Sequence, residues 1–166
     1  MTIAATAPQE QANSMLRLYH SFARLPLGAW LFSRALCIKA PYFSSIRPCI
    51  RQLKPGLSEW EIKNRRRVRN HLGSVHALAM GNLAELCAGT LMEASLPAHL
   101  RWIPKGMQIE YLKKATTELV ATAEIADPAA LTSGNYEVEV IVKNASGEAV
   151  SRALITMWLS EKKQRR

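Results

Sequence analysis

Asn70, Gly73, His76 and Glu85 are the residues of this chain whose types and spacing suit chemistry. An amide, an imidazole and a carboxylate are hydrogen-bonding and proton-handling groups, and a glycine among them lets the backbone turn or a ligand come close. The stretch Asn70-His71-Leu72-Gly73-Ser74-Val75-His76 joins a strand-like run to a helix-like run, and chemistry is expected at that junction. Nine residues past His76, Glu85 stands in Leu83-Ala84-Glu85, inside an apolar helical pattern expected to be mostly buried. A carboxylate in that setting requires a partner or a task.

The elements that must position these residues follow from periodicity. Residues 48–54 and 57–69 flank Lys54-Pro55-Gly56, a turn-forming run, which predicts two antiparallel strands joined by a tight connection. In the second run Trp60, Ile62 and Val68 share one face, the other is nearly all charged, and the strand is expected to lead directly into Asn70. From Val75 to about Ala94, apolar residues at Val75, Leu78, Ala79, Leu83, Leu86, Cys87, Thr90 and Leu91 predict one long helix. Ala77, Gly81, Ala84, Ala88 and Gly89 let it be approached closely on several sides. Residues 107–114, 118–126, 135–144 and 149–160 then alternate as strands, separated by breakers that include the hairpin signal Asn144-Ala145-Ser146-Gly147.

Ahead of the strands, Met15, Leu16, Tyr19 and Phe22 fall at helical spacing, and residues 27–38 continue in that style after Pro26-Leu27-Gly28. This helical preface is read as packing on the domain's surface. The alternative is an interfacial membrane anchor, because Trp30, Phe32 and Leu36 are large and apolar.

With 166 residues, 48% of them hydrophobic and 21% charged, the chain is expected to be one globular domain. Within it, residues 1–11 are expected to be a disordered tail, 12–40 the helical extension, 41–160 the core and 161–166 a basic tail. The three cysteines are odd in number, lack metal-ligand spacing and lie in apolar surroundings, which fits a reduced, cytoplasmic setting without a metal. No secretory signal or transmembrane segment is expected, since residues 25–38 are too short for the roughly 20 a spanning helix needs. The net charge of +9 favours a polyanionic partner: nucleic acid, an anionic membrane surface, or a small phosphate-bearing ligand such as a nucleotide-tailed thioester. Solvated strand faces and a frayed tail are the alternative. Aromatic residues, at 7%, do not interleave with the arginines, so no nucleic acid is expected.

A helical preface, two strands, one long helix and four antiparallel strands fit an α+β architecture, a curved antiparallel sheet wrapped around a central helix. This is the hotdog fold, and the chain resembles the hotdog-fold acyl-CoA thioesterase superfamily. Asn70-x-x-Gly73-x-x-His76 followed by Glu85 resembles the phenylacetyl-CoA thioesterase type, whose motif is N-x-x-G-x-x-H-G-G with an acidic residue nine positions after the His. Pro41-Tyr42-Phe43, Arg66-Arg67-Val68-Arg69-Asn70-His71 and Tyr111-Leu112-Lys113-Lys114-Ala115 resemble a bacterial hotdog-domain branch of the same superfamily.

The resemblance implies a role for each residue. Backbone N–H groups at the helix start, around His76 and Ala77, would meet the negative charge that develops on a thioester carbonyl. Gly73 would let the substrate approach, and Asn70 would orient water or the thioester, a helix cap or strand-end hydrogen bond being its alternative. Glu85 would act as general base toward water, or as nucleophile, across a dimer interface, with Asn82 hydrogen-bonded to it. An arginine partner at that interface is the alternative for Glu85. Arg101, Lys105, Lys113 and Lys114 would meet coenzyme A phosphates, coenzyme A entering only as part of the substrate.

Two departures separate the chain from the thioesterase motif. Ala77-Leu78 replace two glycines, so Leu78 either crowds the acyl pocket or turns into the core, and the acid is Glu rather than Asp. The implied function is hydrolysis of an acyl-CoA thioester by a homodimer or a tetramer. The alternatives are a non-catalytic acyl-CoA or lipid-thioester binder and a binder of anionic surfaces or nucleic acid.

Overall fold

The helix Ala77–Ser95 is buried along 14 of its 19 residues, on nearly every side, so it is a core element rather than a surface one. The computed structural model describes residues 13–162, and the expected disordered stretch 1–11 and most of the basic tail lie outside the described residues. Within it the elements are α1 (Ser14–Ala23), α2 (Gly28–Lys39), β1 (Cys49–Lys54), β2 (Leu57–Ile62), α3 (Ala77–Ser95), β3 (Leu100–Tyr111), β4 (Leu119–Glu124), β5 (Gly134–Lys143) and β6 (Ala149–Glu161). The six strands form one curved antiparallel sheet in the order β1-β2-β4-β5-β6-β3, with α3 packed against it. This is the expected α+β hotdog architecture.

The helix is held to β2 by a polar hub inside the core. Thr90 Oγ1 donates to Leu86 O at 2.8 Å, accepts from Trp60 Nε1 at 2.9 Å and lies 2.9 Å from Ser58 Oγ. Every one of these groups is buried, so each bond replaces water that has been excluded. One turn earlier, Cys87 Sγ contacts Ser58 O at 3.2 Å, and burial pushes its thiol up to about 12.

The helical preface is part of the core on its inner face. Leu16 and Phe32 are fully buried, and Phe32 sits 5.3 Å from Tyr19 and 6.3 Å from Trp60, ring centre to ring centre. Helix α2 also covers the β1 edge of the sheet, where Ser33 Oγ accepts from Ile50 N at 2.8 Å and Arg34 Nη2 donates to Pro48 O at 2.6 Å. The opposite edge, β3, has 12 residues and pairs only with β6.

Two expected boundaries are corrected. The second strand ends at Ile62 rather than continuing to Arg69, because Ile62 pairs with Leu119, the first residue of β4, and no strand lies beyond it. Residues 63–70 form instead a loop with a single helical turn at Arg66–Val68; Asn64 Nδ2 donates to Thr116 O and Arg69 Nε donates to Asn64 Oδ1. The strand expected at 107–114 begins at Leu100, since a bulge between Pro104 and Gly106 shifts the register and hides the alternation of its first half.

Replacing Thr90 with Val keeps the core volume and removes the hydroxyl, leaving the buried Trp60 N–H without an acceptor. Thr90→Val is expected to cost about 1–3 kcal/mol, read as a lower urea midpoint at unchanged slope. A wild-type midpoint would show that the hub does not hold α3 to β2.

Candidate active site

The loop entering α3 is built on Asn70. Its Oδ1 accepts from Leu72 N at 3.0 Å, Ser74 N at 3.2 Å and Ser74 Oγ at 3.1 Å, while its backbone N–H donates to Ser74 O at 2.8 Å. The amide oxygen is therefore committed to shaping the loop. Gly73 closes the turn with φ +76, in the left-handed region that disfavours side chains, and a Cβ there would meet nothing within 4 Å. The turn requires glycine, and the space beside it is open.

His76 caps the helix. Its Nδ1 accepts from Leu78 N at 3.0 Å, which leaves the ring proton on Nε2, facing solvent. Its own N–H donates to Val68 O at 2.7 Å, so this group, expected among the donors for a carbonyl, is already used. The N–H of Ala77 is the one at the helix start with no partner among the described residues. It points out of the helix N-terminus, where the dipole favours negative charge.

Leu78 neither enters the core nor packs beside the loop, for it is 72% exposed. Tyr111, at the end of β3, donates from Oη to Ala77 O at 3.2 Å, and burial raises its phenol above the ordinary value. Sequence reasoning placed Tyr111 on an alternating strand without assigning it to the site. Its signal was a polar tip at the end of the Met107/Ile109/Tyr111 face.

Glu85 lies half-buried on the α3 face that turns toward β3. Gly81 and Gly89 share this face at one turn to either side; a Cβ at Gly81 would stand 3.6 Å from Met107 Cε, and one at Gly89 would stand 3.0 Å from the Trp102 ring. The two glycines thus let β3 come close above and below the carboxylate. Glu85 makes no hydrogen bond or ion pair among the described residues. The expected bond from Asn82 is absent, because Asn82 Nδ2 donates to Ser45 Oγ at 3.0 Å and its Oδ1 is buried without a partner. Eight residues separate Ala77 from Glu85, roughly 12 Å along one helix.

The four expected phosphate ligands do not gather within one subunit. Arg101 and Tyr111 lie near opposite ends of β3, roughly 30 Å apart at strand rise. Arg101 Nε donates to Ser160 Oγ at 3.1 Å, and Lys105 Nζ sits 5.2 Å above the Trp158 ring. Lys113 pairs with Glu148 and holds that carboxyl below its usual range. Lys114 is exposed just beyond β3. Among the described residues no three His, Cys, Asp or Glu side chains cluster as a metal site would require.

Comparison with known proteins agrees with the architecture. Residues 28–159 match the family model described as Domain of unknown function (DUF4442). A crystal structure of a genomics target is 40% identical, with a TM-score of 0.79 over 94% of this chain and 100% of that one. A Pseudomonas aeruginosa protein of unknown function, described as a probable thioesterase, is 23% identical over 83% of this chain and 97% of that one, with a TM-score of 0.72. A hypothetical thioesterase protein from Streptococcus pneumoniae, solved with coenzyme A, is 17% identical over 77% of this chain and 99% of that one, with a TM-score of 0.64. No curated protein matches the sequence.

The cap assigned to His76 has a direct test. His76→Ala is expected to lose about 1 kcal/mol of stability in thermal or urea unfolding, and His76→Asn, whose short side chain can accept from the same N–H, to recover most of it. Equal losses in both variants would show that the imidazole does something other than cap the helix.

Proposed function

Since this chain belongs to the DUF4442 family and has the hotdog fold, we propose that it hydrolyses an acyl-CoA thioester at a site shared between two copies. The observation that carries the proposal is Glu85, a half-buried carboxylate with no partner among the described residues, whereas the other carboxylate of the same helix, Glu93, accepts from Trp102 Nε1. Such a group suits proton transfer from water. The donor best placed for the oxyanion is Ala77 N–H. Within one chain the two are roughly 12 Å apart, whereas a base and a donor acting on one carbonyl must each come within about 3 Å of it or of the attacking water. One subunit therefore holds both parts of the chemistry and brings neither to the other.

Pairing two subunits along β3 resolves this separation. The β3 edge is long, unpaired on one side, and carries exposed Ile103, Met107 and Tyr111, a combination that favours association. Antiparallel pairing sets the Arg101 end of one β3 near the Lys113 end of the other, so cations divided within a subunit come together for the phosphates of coenzyme A. In the reaction, water attacks the carbonyl carbon as Glu85 takes its proton, Ala77 N–H bears the charge on oxygen, and the C–S bond breaks as the leaving thiolate is protonated. The thioesterase protein solved with coenzyme A supports this ligand class.

A second reading, binding without hydrolysis, is favoured by Ala77-Leu78. The exposed Leu78 stands beside the single free donor and can serve as an apolar wall for an acyl chain.

Thiol release from short, medium, long and aromatic acyl-CoA esters separates the two readings. Glu85→Gln is expected to lower kcat by a hundredfold or more with acyl-CoA binding retained, and the wild type to run as a dimer on a sizing column. Binding without thiol release by the wild type would establish the binding module, and a stable monomer would remove the shared site.

A further inference from the structure

At the end of the sheet remote from β3, helix α2 presents an outer face opposite to the one that packs on β1. Trp30, Leu31, Arg34 and Ile38 fall within one arc of about 100° at helical spacing, and Leu27 stands at the N-cap just ahead of the helix. Leu27 is 77% exposed and Ile38 83%, with Trp30 and the nearby Tyr42 also exposed. Single exposed apolar residues are ordinary on any protein, but a contiguous aromatic and aliphatic stripe is not.

The stripe borders a basic groove lined by Trp30, Arg34, Arg47, Lys63 and Arg65, with Glu61 the one carboxylate among its lining residues. Glu61 lies 3.5 Å from Lys63, which leaves the groove strongly positive. Arg34 is anchored on its wall through Nη2 to Pro48 O. Backbone strain marks the same face. Leu27 and Arg47, with φ of 60 and 48, are the non-glycine residues with positive φ among the described residues. A helix-entry position in the left-handed region ordinarily takes Gly or Asn, so a leucine held there with its side chain in solvent points to a use for that side chain.

The geometry points to a docking surface for an anionic phospholipid bilayer, in which Leu27, Trp30 and Ile38 enter the interface while Arg34, Arg47, Lys63 and Arg65 meet lipid phosphates. Charge complementarity selects this occupant. The cations line a groove alongside an apolar stripe, the pairing of charged and apolar surface that interfacial helices use, and the whole chain carries +9. A second copy of this face would bring like charges together. Of Trp30, Phe32 and Leu36, the large apolar residues behind the alternative of a membrane anchor, Phe32 is buried in the core, and the exposed stripe runs instead through Leu27, Trp30 and Ile38. No described helix is long and apolar enough to cross a membrane, and the proposed contact is a peripheral one. It lies at the opposite end of the sheet from β3, and neither hydrolysis nor subunit pairing depends on it.

Co-sedimentation of the full chain with phosphatidylglycerol–phosphatidylcholine vesicles, against vesicles of phosphatidylcholine alone, tests the surface. Wild type is expected to bind the anionic vesicles selectively and to lose them as salt rises from about 0.05 to 0.5 M. Ile38→Glu should lower partitioning at least tenfold, and Arg65→Gln roughly fivefold. Leu27→Gly should weaken binding while raising the thermal midpoint, a pairing that simple damage to the fold would not produce. Lys162→Gln, which removes a charge at the β3 end of the sheet, should change binding little. Failure of the wild type to bind anionic vesicles would overturn the inference, as would full binding by Ile38→Glu or equal losses in Arg65→Gln and Lys162→Gln. A halved column mass in Ile38→Glu without vesicle binding by the wild type would assign the face to a second copy instead.

Discussion

A helix buried on nearly all sides has to be narrow, and that constraint organises this protein. Helix α3 meets it with Ala79, Gly81, Ala84, Cys87, Ala88 and Thr90, small groups that let the sheet close around it. Leu83, Leu86, Leu91 and Met92, all fully buried, pack the helix into the core, and the Thr90 hub adds a directional restraint. Its bonds to Trp60 and Ser58 fix which face of α3 meets β2 and therefore which face turns to β3. Glu85 is on the face that results, and its placement follows from a threonine five residues further along.

The two ends of the sheet are handled differently. At β1, Ser33 and Arg34 of α2 take up backbone groups of the entering chain, so that edge is covered and unavailable for pairing. At β3 nothing among the described residues covers the outer side. The asymmetry makes one end suited to a second copy and leaves the other to the outer face of α2. The helical extension thus completes the core with one face and presents a separate chemical surface with the other.

Much of the fold was legible because its signals are local. The period of α3, the alternation of β4, β5 and β6, and the Asn144 to Gly147 turn are each properties of a few neighbouring residues. What was hidden depends on partners distant in sequence. The end of β2 at Ile62 is set by where β4 begins, and the first half of β3 is masked by a bulge that Pro104 and Gly106 accommodate. Motif spacing singled out Asn70, Gly73, His76 and Glu85 as candidates, but not how their hydrogen bonds are spent. Asn70 Oδ1 goes to its own loop, His76 N–H to Val68, and Asn82 to Ser45, which lies 37 residues away in sequence. The Tyr111 bond to Ala77 likewise joins two segments that no periodicity relates.

That allocation of hydrogen bonds bears on the choice between hydrolysis and binding. The imidazole of His76 occupies Leu78 N–H and the Val68 carbonyl occupies His76 N–H, so the helix start offers one free backbone donor, Ala77 N–H, to a developing oxyanion. A single oxyanion donor is worth about 10² to 10³ in rate, well below the acceleration most enzymes reach. Hydrolysis at this site then depends on what a second copy adds across β3: a carboxylate for the water and any further donor for the carbonyl oxygen. Glu85, without a partner among the described residues and on the face of α3 that turns to β3, is the group such a complement would meet.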